Sequence, residues 1–344
     1  MQAKLTAWIE RSWYGSRPFW PMLLLQPLYV AVTAFRRWAY ATKLFSAWKA
    51  PVPVLVVGNI SIGGTGKTPL TIALVEEAQT MGLRVGVVSR GYGRDNELTR
   101  VLKADDSATV VGDEPLLIFQ RTSAPAAVAS KRSDAAKALL AEQQLDLLIA
   151  DDGLQHYALA RDAEVVVVDS QRGFGNGWQL PSGPLREPQQ RLNKADAVVI
   201  NQRGGQHEQF SHELALSTPM TLAPGELVNV VTGERLSLGS FKDQSVIAIA
   251  GIGNPQVFYD GLAKLGMNVE PLYFQDHHVF TDRDLPGLEK TIVMTEKDAV
   301  KLAPIAKAKQ HHNCWYIPVT ATLNEGFAEA LIRKTLDSYK AQSS

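Results

Sequence analysis

The sequence is poor in cysteine, with Cys314 as the only one in 344 residues. A single cysteine can form neither an internal disulfide nor a cysteine metal cluster, which fits a reducing compartment. The chain also lacks a net positive charge, because it has 35 Lys and Arg against 35 Asp and Glu. Proteins that bind nucleic acid usually carry a basic excess. We therefore expect no nucleic-acid partner, and no obligate protein partner is evident.

Acidic residues are almost absent from residues 1–50, where seven basic residues face only Glu10. Between Arg17 and Arg36 lie 18 uncharged residues, the lower limit for a membrane-spanning helix. Pro21 and Pro27 interrupt this stretch, and its aromatic and basic character is typical of a segment that lies in the interface of an anionic membrane. The alternative is a helical hairpin packed on the core.

After residue 51, short apolar runs alternate with helical stretches. The predicted buried strands are Val54–Gly58, Arg84–Ser89, Ala126–Ala129, Leu145–Ala150, Glu164–Asp169 and Ala197–Asn201. Helices are predicted over Pro69–Met81 and Asp134–Gln144. Continuous apolar strands between helices indicate an α/β fold, with a mostly parallel sheet covered on both faces.

The pattern changes near residues 222–244, where a short hairpin-like region precedes a second α/β series. Its predicted strands are Ser245–Ala250, Asn268–Tyr273, Thr291–Thr295 and Cys314–Ile317, with a helix ending near Leu265. We therefore divide the chain into a helical segment over 1–50, a core over 51–222, and a smaller α/β domain over 223–344.

A glycine-rich loop follows the first predicted strand. It matches the phosphate-binding pattern G-x-x-x-x-G-K-[ST] except that Ser61 replaces the first glycine. Glycines let backbone N–H groups converge on phosphate oxygens at a helix N-terminus. Lys67 is expected to reach the β- and γ-phosphates, and the Thr68 hydroxyl to ligate Mg²⁺. The residues predicted to bind ATP are Ser61, Ile62, Gly63, Gly64, Thr65, Gly66, Lys67 and Thr68, and the core is therefore similar to P-loop NTPases.

Two adjacent carboxylates end the apolar strand over Leu145–Ala150. Asp151 is predicted to hold Mg²⁺, directly or through water, and Asp152 to tune that water or the attacking group. Asp169 also ends an apolar strand and competes for the metal role, although no second carboxylate accompanies it.

Together these segments resemble the tetraacyldisaccharide 4'-kinase (lipid A 4'-kinase) family. The motifs that carry the resemblance run in the expected order, and they are 58–61 with 63–69, Ser89–Gly93, Val111–Pro115, Asp151–His156, Pro181–Pro188, Ala250–Pro255, Phe274–His278 and Thr295–Asp298. Many enzymes share a P-loop, whereas the ordered set is specific to this family.

The resemblance implies transfer of the ATP γ-phosphate to the 4'-hydroxyl of an acylated disaccharide precursor of lipid A. It also implies a P-loop kinase core, a smaller domain that closes over the sugar, and work at the cytoplasmic face of the bacterial inner membrane as a peripheral or monotopic protein. ATP and Mg²⁺ are the implied cofactors, and the lipid substrate and the membrane surface are the implied partners.

By the same resemblance Asp113 is the catalytic base, and His277 orients it and raises its basicity. Lys67 and Asp152 are the other implied catalytic residues. From the residues alone, the preferred role of Asp113 is a cap of the predicted helix Glu114–Arg121, and His278 could replace His277. The implied substrate residues are Asn59, Arg90, Tyr92, Arg132, Gln155, His156, Arg186 and Glu187. Thr295–Asp298 has no implied role, and a strand-end cap is a possible one.

Two rival functions share the P-loop. A GTPase or ATPase switch would need an Asn/Thr-Lys-x-Asp stretch to bind guanine, and Thr295–Asp298 has its lysine one position too late. A kinase of a soluble small molecule would leave the apolar N-terminal segment unexplained.

Overall fold

The computed structural model describes residues 9, 11–15, 18, 20–202, 216–276 and 278–343, and two helices with defined bounds lie before the first strand. They are α1 (Trp20–Leu23) and α2 (Gln26–Ala41). Over the described residues, no helix is both long enough and apolar enough to cross a bilayer.

Fifteen strands follow within the described residues. The first eight are β1 (Val54–Gly58), β2 (Val85–Ser89), β3 (Arg100–Val101), β4 (Ala126–Val128), β5 (Leu147–Ala150), β6 (Ala163–Asp169), β7 (Ala197–Asn201) and β8 (Ser217–Pro224). The others are β9 (Leu227–Asn229), β10 (Arg235–Leu236), β11 (Ser245–Ala250), β12 (Asn268–Tyr273), β13 (Ile292–Thr295), β14 (Cys314–Ile317) and β15 (Val319–Leu323).

Helices connect most of these strands. They are α3 (Lys67–Thr80), α4 (Ala108–Val111), α5 (Asp113–Thr122), α6 (Arg132–Glu142), α7 (Pro255–Lys264), α8 (Glu296–Ala308) and α9 (Phe327–Ser343). Short 3₁₀ helices cover Gln189–Lys194 and Leu238–Phe241.

The strands form two sheets. The larger has nine strands in the order β15-β8-β7-β6-β1-β5-β2-β4-β3, and the smaller has six in the order β10-β9-β14-β13-β11-β12. In the larger sheet only the outermost pairs, β15 with β8 and β3 with β4, are antiparallel. The prediction of an α/β fold with a mostly parallel main sheet and a second, smaller sheet is confirmed.

Strand β1 is apolar on both faces because helices cover both sides of the larger sheet. Leu55 and Val57 belong to the core beneath α3, α5 and α9, whereas Val54 and Val56 belong to the core beneath α6. Successive side chains of a strand point to opposite faces, so a central strand covered by helices on both sides must be apolar throughout. The loops that follow these parallel strands then meet at one edge of the sheet, where α/β proteins bind ligands.

The predicted smaller domain, 223–344, differs from the observed smaller sheet and its helices at both of its bounds. Strand β8 extends to Pro224 in the larger sheet, and β15 returns to pair with it. Helix α9 follows, and its Phe327 and Leu331 pack in the core of the larger sheet. Residues 319–343 therefore belong with the core and not with the smaller domain over 223–344, because the amphipathic pattern of a helix does not specify which sheet it covers.

Candidate active site

The glycine-rich loop joins β1 to α3 and is held from below by two buried asparagines. Asn201 Nδ2 donates to the Thr65 carbonyl over 2.9 Å, and Asn59 Nδ2 donates to Thr65 Oγ1 over 3.2 Å. Gly66 adopts φ of +97°, and a Cβ there would lie 2.6 Å from Asn201 Nδ2. Glycine is therefore required on both conformational and steric grounds, and Asn59, which the family resemblance places among the substrate residues, supports the loop.

A cavity of about 1500 Å³ opens over this loop and is lined by both sheets. The predicted site residues on its wall are Ile62, Gly63, Gly64, Thr65, Gly66, Lys67, Thr68, Arg90, Tyr92, Arg132, Asp152, Gln155, His156, Arg186 and Glu187. Asn59, Ser61, Asp113 and Asp151 are buried behind that wall. His277 lies outside the described residues. The structure thus brings most of the predicted residues to one place.

Three cations surround the carboxylate of Asp152. Lys67 Nζ lies 3.6 Å from Asp152 Oδ1, and Arg186 Nη1 lies 3.2 Å from the same oxygen. Arg132 lies behind, with its Nε donating to the Asp151 carbonyl over 3.0 Å and its Nη2 donating to the Asp152 carbonyl. Burial by itself would raise the pKa of Asp152, but Lys67, Arg186 and Arg132 hold it well below its usual range. Asp152 is therefore ionised, and we call these four residues the Asp152 cluster.

Asp151 lies beneath the first turns of α3. Its Oδ1 accepts a 3.0 Å hydrogen bond from the Thr71 hydroxyl, while its Oδ2 is buried and has no hydrogen-bond partner among the described residues. Burial, followed by the negative charges of Glu114 and Asp152, raises the pKa of Asp151. A cation beside this carboxylate would reverse those effects, so the arrangement fits a site for Mg²⁺.

The competing carboxylate, Asp169, has a local role at the end of β6. Its Oδ1 accepts hydrogen bonds from the backbone N–H groups of Gln171 (2.9 Å) and Arg172 (3.0 Å). Asp169 therefore shapes the turn that follows the strand, as aspartate commonly does.

Glu187 organises the wall beside the Asp152 cluster. It is 2% exposed, and it accepts hydrogen bonds from Gln155 Nε2 over 3.0 Å and from the Tyr157 hydroxyl over 2.7 Å. Arg191 Nε lies 3.4 Å from its second oxygen. Gln155 in turn accepts from Arg186 through its Oε1 over 3.3 Å. Glu187 thus fixes the orientation of two neighbours that reach the cavity.

His156 is an uncharged residue in a positive environment. Burial, followed by repulsion from Arg132, Arg36 and Arg90, lowers its pKa to about 3. The imidazole is therefore neutral at physiological pH, and the arginines around it favour an anionic ligand. Tyr92, at 63% exposed, stands at the mouth of the same wall.

The predicted base lies at the start of α5. Asp113 is 5% exposed, and its Oδ1 accepts a 2.9 Å hydrogen bond from the Glu114 N–H. Lys297 Nζ lies 3.6 Å from Asp113 Oδ2, 3.2 Å from Glu114 Oε1 and 3.3 Å from Asp276 Oδ1. We call these four residues the Lys297 cluster. The predicted pairing of Asp113 with His277 stays a prediction.

His278, the alternative partner of Asp113, has other neighbours. Its ring centroid lies 4.7 Å from that of Phe274 and 4.9 Å from that of Phe280, and its Nε2 lies 3.5 Å from Asp284 Oδ2. These contacts hold His278 in the loop after β12.

Several residues on the cavity wall were missed by the sequence reasoning. Tyr29, Arg36 and Arg37 reach it from α2, and the Tyr29 hydroxyl donates to the Arg186 carbonyl over 3.1 Å. Lys297 belongs to Thr295–Asp298, which the sequence matched but gave no role. The capping role considered for this stretch is present, since Thr295 Oγ1 accepts from the Asp298 N–H at the start of α8.

The turn after β11 was also matched without a role. A Cβ on Gly253 would lie 3.2 Å from the Gly64 N atom, so this turn of the smaller sheet sits against the P-loop. Arg172 Nη2 donates to the Gly253 carbonyl over 2.7 Å and ties the turn to the end of β6.

Comparison with known proteins agrees with this geometry. The family model described as tetraacyldisaccharide-1-P 4'-kinase, LpxK, matches residues 18–336. The fold is similar to a crystal structure of the "apo" form of LpxK from Aquifex aeolicus in complex with ATP, with a TM-score of 0.78, 27% identity, and coverage of 91% of this chain and 98% of that one. The cell division ATPase MinD of Pyrococcus furiosus matches with a TM-score of 0.26, 15% identity, and coverage of 48% of this chain and 78% of that one.

Proposed function

The chain belongs to the tetraacyldisaccharide-1-P 4'-kinase family, and on that premise we propose which of its residues perform each part of the reaction. It is an ATP-dependent kinase of lipid A biosynthesis that phosphorylates the 4'-hydroxyl of tetraacyldisaccharide 1-phosphate. The soluble-substrate kinase and the NTPase switch considered from the sequence are therefore set aside. The observation that carries the assignment below is one cavity lined by the P-loop and by Lys297, Glu114 and Asp276, with Asp113 buried behind its wall.

The P-loop side of the cavity holds the nucleotide. Backbone N–H groups of 61–68 surround the phosphates, and Lys67 contacts the phosphate that is transferred. Thr68 and the Asp151–Asp152 pair would hold Mg²⁺, and the chemistry that the ion supplies is neutralisation of charge on the β- and γ-phosphate oxygens. Arg132 and Arg186 position Asp152 and lower the electrostatic cost of bringing a triphosphate into the cavity.

The acceptor hydroxyl approaches from the side of α5. Asp113 removes the proton as the 4'-oxygen attacks the γ-phosphorus, and the bond to the β-phosphate oxygen breaks to release ADP. His277 is the proposed orienting partner of Asp113. Arg90, Tyr92, His156 and the Glu187 network form the wall against which the sugar and its existing phosphate bind.

A lipid substrate explains the unusual surface of α2. One side of this helix faces the protein, where Ala39 is buried and Tyr40 stacks against Tyr157 at 5.9 Å. The other side exposes the large apolar residues Leu28, Val32, Phe35 and Trp38 to solvent. The turn before α2 adds Leu24 and Leu25, which are also exposed. Contiguous apolar patches of this kind mark interaction surfaces. We propose that this face enters the interface of the inner membrane from the cytoplasmic side, next to the cavity.

Phosphate transfer is tested with γ-labelled ATP, Mg²⁺ and purified tetraacyldisaccharide 1-phosphate in detergent micelles. The expected product carries the label on the 4'-oxygen, located by NMR or by mass spectrometry of fragments. Omission of the divalent ion is expected to abolish transfer. A label found at another position, or hydrolysis of ATP that is independent of the acylated sugar, would contradict the proposed site.

Membrane association is tested by flotation with anionic vesicles. Leu28→Glu combined with Phe35→Glu is expected to move the protein from the floating to the soluble fraction, because two charges then face the lipid. The matched control is Leu288→Glu, an exposed leucine in the smaller sheet's region, which is expected to float as the unmodified protein does. Equal flotation of both variants would exclude α2 as the membrane contact.

A further inference from the structure

We propose that Lys297 is the positioning residue for the base, and that it holds the Asp113 carboxylate against the smaller sheet in the arrangement needed for proton removal. This inference rests on the proposed role of Asp113. The family resemblance includes the motif Thr295–Asp298, which contains Lys297, but it implies no role for this lysine.

Lys297 joins three carboxylates from two separate parts of the chain. Asp113 and Glu114 begin α5 on the larger sheet, and Asp276 lies in the loop after β12 of the smaller sheet. All three lie within hydrogen-bonding or ion-pair distance of one ammonium group whose side chain is 16% exposed. Burial would lower the pKa of Lys297, but Glu114, Asp113 and Asp276 together raise it above its usual range, so the group is charged.

The neighbours of Lys297 on α8 each fix a different element. Glu296 accepts two 2.9 Å hydrogen bonds from Arg121 Nη1 at the far end of α5. Asp298 Oδ2 accepts from the Gly251 N–H over 2.8 Å, at the start of the turn that lies against the P-loop. The first turn of α8 therefore contacts both ends of α5 and the turn that lies against the P-loop. Lys297 is the member of this set that touches the base.

Lys297 does more than join α8 to α5, because its positive charge offsets the negative charges around Asp113. Without the ammonium, Asp113 would keep Glu114 and Asp276 as close negative neighbours, with Asp151 at the end of β5 close enough to interact with Glu114. Neighbouring carboxylates repel each other, and one of them takes up a proton at a higher pH than it would alone. A protonated or displaced Asp113 cannot accept the proton of the sugar hydroxyl.

The central variant is Lys297→Met, which keeps most of the length of the side chain and removes its charge. We expect kcat to fall on the order of 10- to 100-fold, since small displacements of a reacting group have effects of that size. We also expect the acidic limb of the kcat/KM profile to move to higher pH by about one unit. The Kd for Mg-ATP should stay unchanged, and Lys297→Arg should restore most of the turnover and the original limb.

Two controls separate positioning from simple adhesion. Glu296→Gln breaks the other contact between α8 and α5 without touching Asp113, so its acidic limb should stay in place even if stability falls. Lys307→Met removes an exposed lysine of the same helix and should behave as the unmodified enzyme does. A Lys297→Met enzyme with an unmoved limb and no greater loss of kcat than Glu296→Gln would overturn the proposal.

A second variant decides the question if Lys297→Met does not fold. Asp276→Asn removes one of the repelling carboxylates, so the acidic limb should move to lower pH, opposite in direction to the lysine variant. A limb that stays in place or moves to higher pH would overturn the inference. The base assignment itself is tested separately by Asp113→Asn, because near-normal turnover in that variant would reject the proposed function whatever Lys297 does.

Discussion

Two ionic clusters at the cavity have opposite compositions. In the Asp152 cluster one carboxylate is surrounded by Lys67, Arg186 and Arg132, whereas in the Lys297 cluster one ammonium is surrounded by three carboxylates. The first offers positive charge where phosphates are expected, and the second offers negative charge where a proton must be accepted. Phosphate binding and proton removal therefore take place in separate electrostatic environments of one cavity.

The clusters also differ in what holds them together. Every member of the Asp152 cluster comes from residues 51–222 and is placed by the larger sheet. The Lys297 cluster exists only where α5 meets α8 and the loop after β12, which belong to different sheets. The nucleotide side should therefore be preformed, while the base side depends on how the smaller sheet docks. The variants below test this difference.

The largest effect is expected from Lys67→Met. Loss of the ammonium that contacts the transferred phosphate should lower kcat by about 10³-fold. Unlike Lys297→Met it should also weaken Mg-ATP binding, because Lys67 belongs to the nucleotide side. Initial rates and calorimetric titration measure the two quantities. Lys103→Met, at an exposed lysine, is the control, and retained turnover in Lys67→Met would break the comparison.

An intermediate effect is expected from Asp152→Asn. The neutral amide leaves three cations without their carboxylate and removes a proposed Mg²⁺ ligand, so kcat should fall by about 10²-fold. The Mg²⁺ concentration that supports half-maximal rate should rise. Titration of activity with Mg²⁺ checks both, with Asp337→Asn on the exposed side of α9 as the control. An unchanged Mg²⁺ requirement would restrict Asp152 to balancing charge.

The smallest expected effect concerns the stability of the folded protein, to which His156 and the arginines around it contribute. His156 has a folded-state pKa of about 3, below its value of about 6.5 in an unfolded chain. Between these two pKa values His156 binds a proton in the unfolded state but not in the folded state, so the free energy of unfolding falls as the pH drops below about 6.5.

Between pH 6.5 and 5 the loss attributable to His156 should be about 1–2 kcal/mol in the free energy of unfolding. Urea denaturation at both pH values measures it, and His156→Gln should show a correspondingly smaller decrease. An identical pH dependence in the two proteins would mean that the arginines around His156 do not repel its protonated form.

The sequence predicted well wherever the determining residues are neighbours in the chain. The bounds of β1, β7, β11, β12 and β14 agree with the predicted strands. All of them except β12 are apolar runs with a turn residue at or just after the end. The P-loop is likewise encoded in consecutive residues, although α3 begins at Lys67, two residues before the predicted Pro69. Local patterns therefore located the nucleotide side of the site.

Contacts between distant segments were not predictable in this way. Lys297 meets Glu114 across 183 positions, and nothing in the local pattern of either helix indicates that partnership. The same holds for β15 and α9, whose return to the larger sheet depends on tertiary packing. For α2, the sequence indicated an apolar, aromatic and basic segment but not which face meets the protein, which depends on contacts such as that of Tyr29 with Arg186.

The pairing of β8 with β15 has a consequence for how the molecule can be dissected. Pro224 and Val319 are partners on these antiparallel strands, and Gly225 N donates to the Pro318 carbonyl over 2.8 Å. The excursion over 225–318 thus leaves and rejoins its host at almost the same point. A hairpin turn of two to five residues could bridge that gap. The shortened protein would keep the larger sheet with its P-loop and lose Lys297. We expect it to bind nucleotide but to lack the contacts that position Asp113 for proton removal.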